Sequence, residues 1–493
     1  MQQLLETYDL RKINILFELS LDLEPVNMYN LAKQLGVNIK TLLSTIHEIN
    51  KDAEFYQLSI QIQRIGNQLK LEVATNISIA SFKLKYLKKS MSYQILDATF
   101  NLSNLNVHYM AENYHFSVAS LYRRLSKIKE ILAIFYLEFE TGPNLSITGS
   151  EKQIRFFFFQ FYWHSSQLFE WPFTQELKHI CSMLYEKVFH DQLNPQNIMM
   201  KEKIILWLGI NVTRIQGGYP LSSEDVSKME PIIKSSSTFK TLKRRFNNSL
   251  VSQSIMFEEY DFIVFYCLLI CDEDYIHDNE LTFFPLPEED KTIVEEAALL
   301  FLTKLTKFVK RPLSEEKQHI LYKKLLKIHM YAIFFPQKEL LLTLDQHFDY
   351  FKQSYEEVIH QFDQFYQELY LGQDRLRIFS DNPSLYQTYM LLLANNLDIR
   401  TFYPEITIAL LTLDSKVKEP FYQQKIQSLT TSFIHFVDNI TDSVDLVISN
   451  SHLGLVTDVN GFVLNSPVTP WDWERLKLEL ESIQNFKYES ESL

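Results

Sequence analysis

The sequence predicts a mainly α-helical protein of several domains, with a small α/β domain at its carboxyl end. Three observations lead to this fold class. The 493 residues include only 10 glycines and 15 prolines, which is typical of helices with short connections. Two segments near the amino end repeat one helix-turn-helix pattern, 79 residues apart. Residues 396–493 alternate apolar strands with helices, a pattern that predicts a small parallel sheet.

The repeated segments run from Leu31 to Ile49 and from Met110 to Ile128. Equivalent positions carry an alanine where two helices approach, then an apolar residue that fills the turn. A polar residue follows, Asn38 or Ser117, which is predicted to cap the second helix. Apolar residues then recur at helical spacing and hold that helix on its support. The positions between them face outward, where a recognition helix meets DNA.

A β-hairpin is predicted after each repeat. Residues 59–73 alternate apolar and polar side chains around Gly66-Asn67, and residues 137–149 do so around Gly142-Pro143. A helix at residues 10–20 and another after Pro25 and Asn27 complete the first set. Three helices and a hairpin form a winged helix-turn-helix, so two such domains are predicted, over residues 1–75 and 76–165.

The middle of the chain predicts two helical bundles, over residues 166–282 and 283–395, separated by the proline-containing acidic sequence FFPLPEED at 283–290. Residues 396–493 form the α/β domain, with buried-strand candidates at 406–414, 434–440, 444–451 and 456–464. The most apolar run, residues 154–163, is about half the length that spans a bilayer, so it predicts a buried helix and no membrane partner.

Charge is unevenly distributed. The net charge of the chain is −13. Residues 1–165 carry 17 basic and 15 acidic side chains, whereas the rest of the chain carries 31 basic and 46 acidic ones. The acidic remainder repels phosphate and suits sensing or assembly.

Three cysteines, Cys181, Cys267 and Cys271, form neither a disulfide framework nor a zinc quartet. With no apolar signal peptide at the start, they indicate a cytoplasmic protein.

The second recognition helix is predicted to be the main DNA reader, because its outward positions are cationic or polar and no acidic residue precedes Glu130. Arginine binds guanine edges through paired bonds, and lysine contacts phosphate. Its candidate contacts are Ser117, Ser120, Tyr122, Arg123, Arg124, Lys127 and Lys129. The first helix offers Lys40, Ser44, Thr45 and His47, beside the acidic Glu48. Additional phosphate contacts are predicted at Lys83, Lys85, Lys88 and Lys89.

Enzyme motifs are missing from the sequence. It contains no Gly-x-Gly-x-x-Gly, no phosphate-binding loop ending in Gly-Lys-Ser/Thr, no His-Glu-x-x-His and no Gly-x-Ser-x-Gly. The histidines lack metal-ligand spacing. The sequence therefore predicts a protein that is not an enzyme and that uses no cofactor and no metal.

Three segments carry a family resemblance: SVASLYRRLSKIKEIL (117–132), LSITGSEKQIRFFFFQFYW (145–163) and LFEWPF (168–173). With them, the chain resembles the Mga family of virulence regulators from Gram-positive bacteria. The resemblance implies two helix-turn-helix domains, then two helical domains similar to the regulatory domains of phosphotransferase-controlled regulators (PRD-like), and a carboxyl-terminal domain similar to phosphotransferase EIIB. It also implies oligomers, dimers or larger, formed through the carboxyl-terminal region.

The family also implies control by phosphotransferase-system proteins. In this chain Lys201 stands where a relative has a histidine of the first regulatory domain, whereas His329, in KIHMYAI, matches a family histidine of the second. His329 is therefore the phosphorylation candidate. The loop DSKVKEP (414–420), after the first strand of the EIIB-like domain, has no cysteine to accept phosphate, which implies a copy used for assembly or sensing.

The predicted function is that of a transcription regulator that binds double-stranded DNA, typically as an activator of surface, virulence or carbohydrate-linked genes. Two alternatives belong to other classes. An RNA-binding antiterminator with similar helical domains would begin with a small β-rich domain, whereas this chain begins with helices. An enzyme of the phosphotransfer pathway would require the missing cysteine.

Overall fold

The computed structural model describes residues 2–21, 24–101, 105–113, 115, 117–166, 170–189, 198–233, 237–250, 257–271, 292–309, 312–338, 356–411, 418–441, 443–451 and 460–492. They form two compact, mostly helical units. The first unit comprises Met1–Phe284 with Met330–His347, and the second comprises Pro285–His329 with Phe348–Leu493.

The first winged helix-turn-helix is present as predicted. After a short 3₁₀ helix, Gln2–Leu4, its elements are α1 Thr7–Ser20, β1 Val26–Asn27, α2 Met28–Gln34, α3 Ile39–Phe55, β2 Ile60–Ile65 and β3 Gln68–Val73. The Asn38 side chain accepts a hydrogen bond from the Thr41 N–H at 2.8 Å and so caps α3. Gly66, with φ of +62°, allows the tight turn between the antiparallel strands β2 and β3.

The second winged helix-turn-helix repeats the first with the 79-residue offset. Its elements are α4 Ile79–Lys89, α5 Met91–Asn101, α6 Val107–Asn113, α7 Val118–Ile134, β4 Glu138–Thr141 and β5 Leu145–Thr148. Helices α6 and α7 begin and end 79 positions after α2 and α3. Ser117 caps α7 by accepting a bond from the Ser120 N–H at 3.1 Å, as predicted.

The duplication extends to unusual backbone conformations. Gly36 and His115 are 79 positions apart, and both adopt left-handed φ values, +64° and +57°. Gln57 and Tyr136, after the recognition helices, are also equivalent and have φ of +55° and +58°. The same geometry at matched positions indicates that the two copies share one backbone design and not merely a similar apolar pattern.

The rest of the first unit is helical. Its helices are α8 Glu151–Ser166, α9 Gln175–Phe189, α10 Ile198–Gln216, α11 Ser223–Val226, α12 Glu230–Ile233, α13 Ser237–Leu250 and α14 Glu259–Cys271. Helix α8 confirms the buried helix predicted from residues 154–163, and no helix within the described ranges is long and apolar enough to cross a bilayer. Arg155 on α8 is fully buried and donates to Glu151, to Asn211 on α10 and to Asp261 on α14, which ties these helices together.

The second unit begins with helices and ends with a sheet. The helices are α15 Ile293–Phe308, the part of α16 Glu315–Phe334 up to His329, α17 Glu356–Leu369, α18 Arg377–Ser380 and α19 Ser384–Asn396, with 3₁₀ helices at Asp374–Leu376 and Ile399–Phe402. The buried Phe301 ring packs against Phe365 at 5.2 Å and against Tyr389 at 4.8 Å, measured between ring centroids. Phe402 packs against Phe308 at 5.8 Å, so this helical core continues to residue 402.

A four-stranded parallel sheet forms the carboxyl end, as predicted. Its elements are β6 Ile406–Leu411, α20 Glu419–Gln427, β7 Ile434–Val437, β8 Leu446–Ser449, β9 Gly461–Val463 and α21 Pro470–Ser492. The strand order is β7-β6-β8-β9. The proposed bundle boundary at 283–290 and most of the loop at 414–420 lie outside the described residues. The division into five domains remains a prediction.

Candidate nucleic-acid interface

The outward face of α7 carries the exposed cations. Tyr122 is 53% exposed, and Arg123, Lys127 and Lys129 are also exposed, whereas Leu121, Leu125 and Ile128 are buried on the opposite side. At the start of the helix, the Ser117 hydroxyl donates to Ser120 Oγ at 2.8 Å. The helix therefore presents three positive side chains and one aromatic ring on a surface of the kind that recognition helices place against DNA.

Arg124 is placed differently from Arg123. Its guanidinium donates to the Glu6 carboxylate, and its side chain is only 13% exposed. Its equivalent in the first copy, Thr45, is 1% exposed. This helix position therefore faces the protein in both copies. No local pattern could predict this pair, because Glu6 lies 118 positions earlier in the chain.

The first recognition helix, α3, exposes fewer charges. Lys40, Ser44 and His47 are exposed, and the Ser44 hydroxyl donates to the Thr41 carbonyl at 3.0 Å. The expectation that Thr45 faces outward is wrong, since its buried hydroxyl donates to the Thr41 carbonyl at 2.8 Å. Glu48 is half exposed, 3.8 Å from the ammonium of Lys12. Helix α3 therefore offers one permanent positive charge, at Lys40, among its candidate contacts.

The lysines of α4 are largely engaged within the protein. Lys85 and Lys88 both pair with Glu170, the former at 2.9 Å, and their hydrogen bonds lower the pKa of that carboxyl. Lys83 is half-buried, and loss of hydration lowers its pKa. Lys89 is exposed. Of the four lysines predicted to contact phosphate, Lys89 is therefore the one most accessible to a phosphate backbone.

The His329 side chain is fully buried. Its Nε2 bonds the Tyr389 hydroxyl at 2.6 Å, and its Nδ1 is 3.2 Å from the Val294 carbonyl. Burial lowers the pKa of His329 to about 3, so the ring is neutral near pH 7. A phosphoryl donor reaches either ring nitrogen only if the helices packed around His329 separate. Lys201, in the place of a family histidine, pairs with Glu186 at 2.5 Å.

Within the described ranges, no group of three or more His, Cys, Asp or Glu side chains is arranged to hold a metal ion. None of the three cysteines forms a disulfide. Cys181 and Cys267 are buried, and burial raises the pKa of Cys181 to about 12. Cys271 is partly exposed. The exposed cationic face of α7 is thus the clearest chemical feature of the amino-terminal part.

Comparison with known proteins agrees with this geometry. Residues 75–162, which contain α4 to α7, the second wing and most of α8, match the Mga helix-turn-helix domain. A trans-acting regulator of Streptococcus pneumoniae serotype 4 (strain TIGR4) is 29% identical over 135 residues, 27% of each chain. The capsule synthesis positive regulator AcpA of Bacillus anthracis is 28% identical over 166 residues, 34% of each chain.

These alignments span about a quarter to a third of the relatives, so their likeness to this chain is strictly local. It nevertheless agrees with the duplicated winged helices, the capped recognition helix and the exposed cations of α7. The resemblance noted in the sequence is confirmed: the chain carries an Mga helix-turn-helix domain and is similar to the Mga-like transcription regulators.

Proposed function

We propose that this protein is a cytoplasmic transcription regulator that binds double-stranded DNA mainly through α7. The observation that carries the proposal is the row of exposed side chains Tyr122, Arg123 and Lys127 on a capped helix whose other side is buried. Arg123 and Lys127 are four residues apart, so both lie on one face of the helix. We assign base contacts to Arg123 and Tyr122, and phosphate contacts to Lys127 and Lys129.

The first winged helix-turn-helix acts as an accessory contact in this proposal. Its recognition helix exposes Lys40, Ser44 and His47, and Lys89 adds a positive charge on α4. Arg124 has a supporting role, because its guanidinium is held by Glu6. Lys83, Lys85 and Lys88 stabilise the fold instead of contacting phosphate, since two of them pair with Glu170 and the third is half-buried.

The remainder of the chain regulates this activity in our proposal. Residues 166–282 and 283–395 correspond to PRD-like domains, and residues 396–493 correspond to an EIIB-like domain that supports dimers or larger oligomers. Phosphotransferase-system proteins are the partners that would modify His329, after an opening that exposes its ring. Activation is the proposed sign of regulation, in line with the name of the Bacillus anthracis relative as a positive regulator of capsule synthesis.

Footprinting on genomic fragments would first locate a binding site. Fluorescence anisotropy with that duplex should then show that Arg123→Ala with Lys127→Ala weakens binding by at least about tenfold, through loss of a base contact and a phosphate contact. The matched control is Lys228→Ala with Lys240→Ala, which removes two exposed charges from the region after the winged domains, one between α11 and α12 and one on α13. Equal losses in both variants, or unchanged affinity in the first, would refute the assignment of α7. If hairpin RNA competed for the protein more strongly than duplex DNA does, this result would favour an RNA-binding antiterminator.

A further inference from the structure

The segment Phe335–Lys338, which follows α16, contacts the carboxyl end of the recognition helix α7. We call this segment the strap. The Lys338 N–H donates to the carbonyl of Ile134, the last residue of α7, at 2.9 Å. The last four carbonyls of an α-helix have no partner within the helix, so a donor from elsewhere in the chain stabilises the helix end. The strap thus caps α7 from a part of the chain that is distant in sequence.

Gln153 of α8 joins the strap to the same helix end. Its side-chain amide donates to the Phe135 carbonyl, directly after α7, at 3.1 Å and to the Pro336 carbonyl of the strap at 2.7 Å. The amide nitrogen carries two hydrogens, so one side chain serves both acceptors. Gln153 is buried, and hydrogen bonds are stronger where water is excluded. The two bonds therefore hold the strap beside the end of α7.

Aromatic packing anchors the strap at its first residue. The buried Phe335 ring stacks on Phe156 of α8, with centroids 4.8 Å apart, and Phe156 in turn contacts Phe135 at 5.9 Å. At the other end of the strap, the Lys338 ammonium lies 5.2 Å from the centre of the exposed Tyr136 ring. The strap is thus fixed by apolar packing at one end and by a solvent-exposed side-chain contact at the other.

The first winged domain provides an internal comparison. Phe55, the last residue of α3, precedes its equivalent Ile134 by 79 positions. Phe55 is 78% exposed, whereas Ile134 is 9% exposed. In the described ranges, no residue from outside the first winged domain donates a backbone hydrogen bond to the end of α3. A winged helix-turn-helix domain therefore does not require such a strap, and the strap caps the recognition helix that carries more of the exposed cations.

We propose that the strap is a regulatory positioning element, which couples the conformation of α16 to the DNA affinity of α7. The residues of α16 up to His329 belong to the second unit, whereas its last residues and the strap belong to the first. A displacement of this continuous helix would therefore move the strap and, through it, the end of α7. With the strap in place, α7 is ordered before it meets DNA. Release of the strap frees the helix end, which DNA binding must then order at a cost in affinity. This inference rests on the proposed function, because it assigns a control to the same helix.

The first test is the affinity of the full chain for the footprinted duplex, in variants that circular dichroism shows to be folded. Gln153→Met removes both donated bonds with little change in size, and Lys338→Pro removes the backbone N–H. We expect each to weaken binding by about fivefold or more without a change in salt dependence, because no phosphate contact is lost. The double variant should bind within about twofold of the weaker single variant, since both substitutions release one strap, and fully additive losses would contradict this.

Two controls separate the strap from other effects. Lys338→Ala keeps the N–H and loses only the side chain, and Gln484→Met removes the two hydrogen bonds of another buried glutamine, on α21. Both should bind within about twofold of wild type. Equal losses in Lys338→Ala and Lys338→Pro would show that the ammonium contacts DNA and would overturn the proposal. Unchanged affinity in Gln153→Met, or an equal loss in Gln484→Met, would overturn it as well.

Hydrogen exchange, followed by mass spectrometry, tests the coupling in the opposite direction. Coupling between two sites is reciprocal, so saturating duplex DNA should slow exchange in the peptide that contains the strap, by about threefold or more. In the free protein, Gln153→Met should speed exchange at the carboxyl end of α7, whether or not the protein binds DNA. An unchanged rate there would overturn the strap assignment.

The same measurements distinguish this inference from the proposed function. If the wild-type protein binds no duplex, the proposed function fails, and the regulatory role of the strap fails with it. If the wild-type protein binds DNA but the strap exchanges at the same rate with and without the duplex, the proposed function stands and the coupling through the strap is overturned.

Discussion

Arg123 and Arg124 are adjacent in sequence, yet their side chains have different surroundings. An α-helix turns by about 100° per residue, so adjacent residues cannot share a face. Arg123 is exposed, whereas Arg124 is directed to Glu6 and is mostly covered. Its equivalent, Thr45, is buried in the first copy. The two residues are both arginines, so their different roles come from their positions on the helix. Arg123 is a candidate base contact, whereas Arg124 forms an ion pair that stabilises the fold.

Arg124→Ala is therefore predicted to act on stability. The substitution removes a partly covered ion pair and leaves the Glu6 carboxylate without its partner. The free energy of unfolding should therefore fall by about 1 kcal/mol. Differential scanning fluorimetry should show a lower melting temperature for Arg124→Ala and an unchanged one for Arg123→Ala. The opposite order of melting temperatures would show that Arg124 does not hold the amino-terminal segment.

His329 makes the stability of the second unit depend on pH. Its folded pKa, about 3, lies below its ordinary value of 6.5, so the unfolded chain binds more protons between these values. Stability is then complete above about pH 6.5 and falls as the pH decreases, by roughly 1 kcal/mol per pH unit. Thermal melts between pH 7.5 and 5 should show a shallower pH slope for His329→Gln than for wild type. The variant at exposed His319, His319→Gln, should retain the wild-type slope.

The role of a side chain could be predicted from the sequence where its bonding partner is close in the chain. It could not be predicted where the partner is distant in the chain. Asn38 and Ser117 cap their helices because the groups they bond lie three residues away. By contrast, Glu170 neutralises Lys85 and Lys88 from more than 80 positions away, and the linear pattern shows only a basic cluster. The sequence therefore predicted which cationic residues belong to the candidate site. It could not predict which of them remain exposed in the folded protein.

At the scale of elements, the duplicated winged helices share a turn that requires a left-handed residue. Gly36 adopts this conformation without steric cost, whereas His115 adopts it with a side chain. The apolar periodicity predicted both recognition helices and both wings, because half-buried helices and hairpins carry strong repeats. The left-handed backbone of His115 has no such signal in the sequence of the second copy alone.

His115→Gly is predicted to stabilise the second winged domain, and Gly36→Ala to destabilise the first, each by about 1 kcal/mol. No atom lies within 4 Å of a Cβ built on Gly36, so the cost there comes from backbone strain alone. Urea unfolding followed by circular dichroism measures both variants. Equal stabilities of wild type and Gly36→Ala would contradict the argument from the turn.

At the scale of the whole molecule, charge separates the chain into a near-neutral DNA-binding part and an acidic remainder. Residues 1–165 hold two more basic than acidic side chains, whereas the rest of the chain has an excess of acidic ones. An acidic region weakens non-specific attraction to phosphate, so in the proposed function the affinity for DNA would come from the exposed cations of α7 and from a second protomer. Assembly is therefore expected to matter for DNA binding.

Removal of residues 405–493 is predicted to abolish oligomers and to weaken DNA binding by at least about tenfold, because a dimer doubles the number of phosphate contacts. The cut after Pro404 keeps Phe402, which packs on Phe308, and removes the whole parallel sheet. Analytical ultracentrifugation and anisotropy measure the two effects. A truncated protein that remains a dimer would exclude the sheet as the assembly region.

The most direct test of the central claim, that α7 places its exposed cations against DNA, is the salt dependence of affinity for the footprinted duplex. The logarithm of the association constant should fall linearly with the logarithm of the salt concentration. Lys127→Ala should reduce the steepness of this slope by about 0.9 for each protomer bound, the effect of one lost phosphate contact. Lys240→Ala should leave it unchanged. An unchanged slope for Lys127→Ala would contradict the account, because α7 would then not lie against the phosphate backbone.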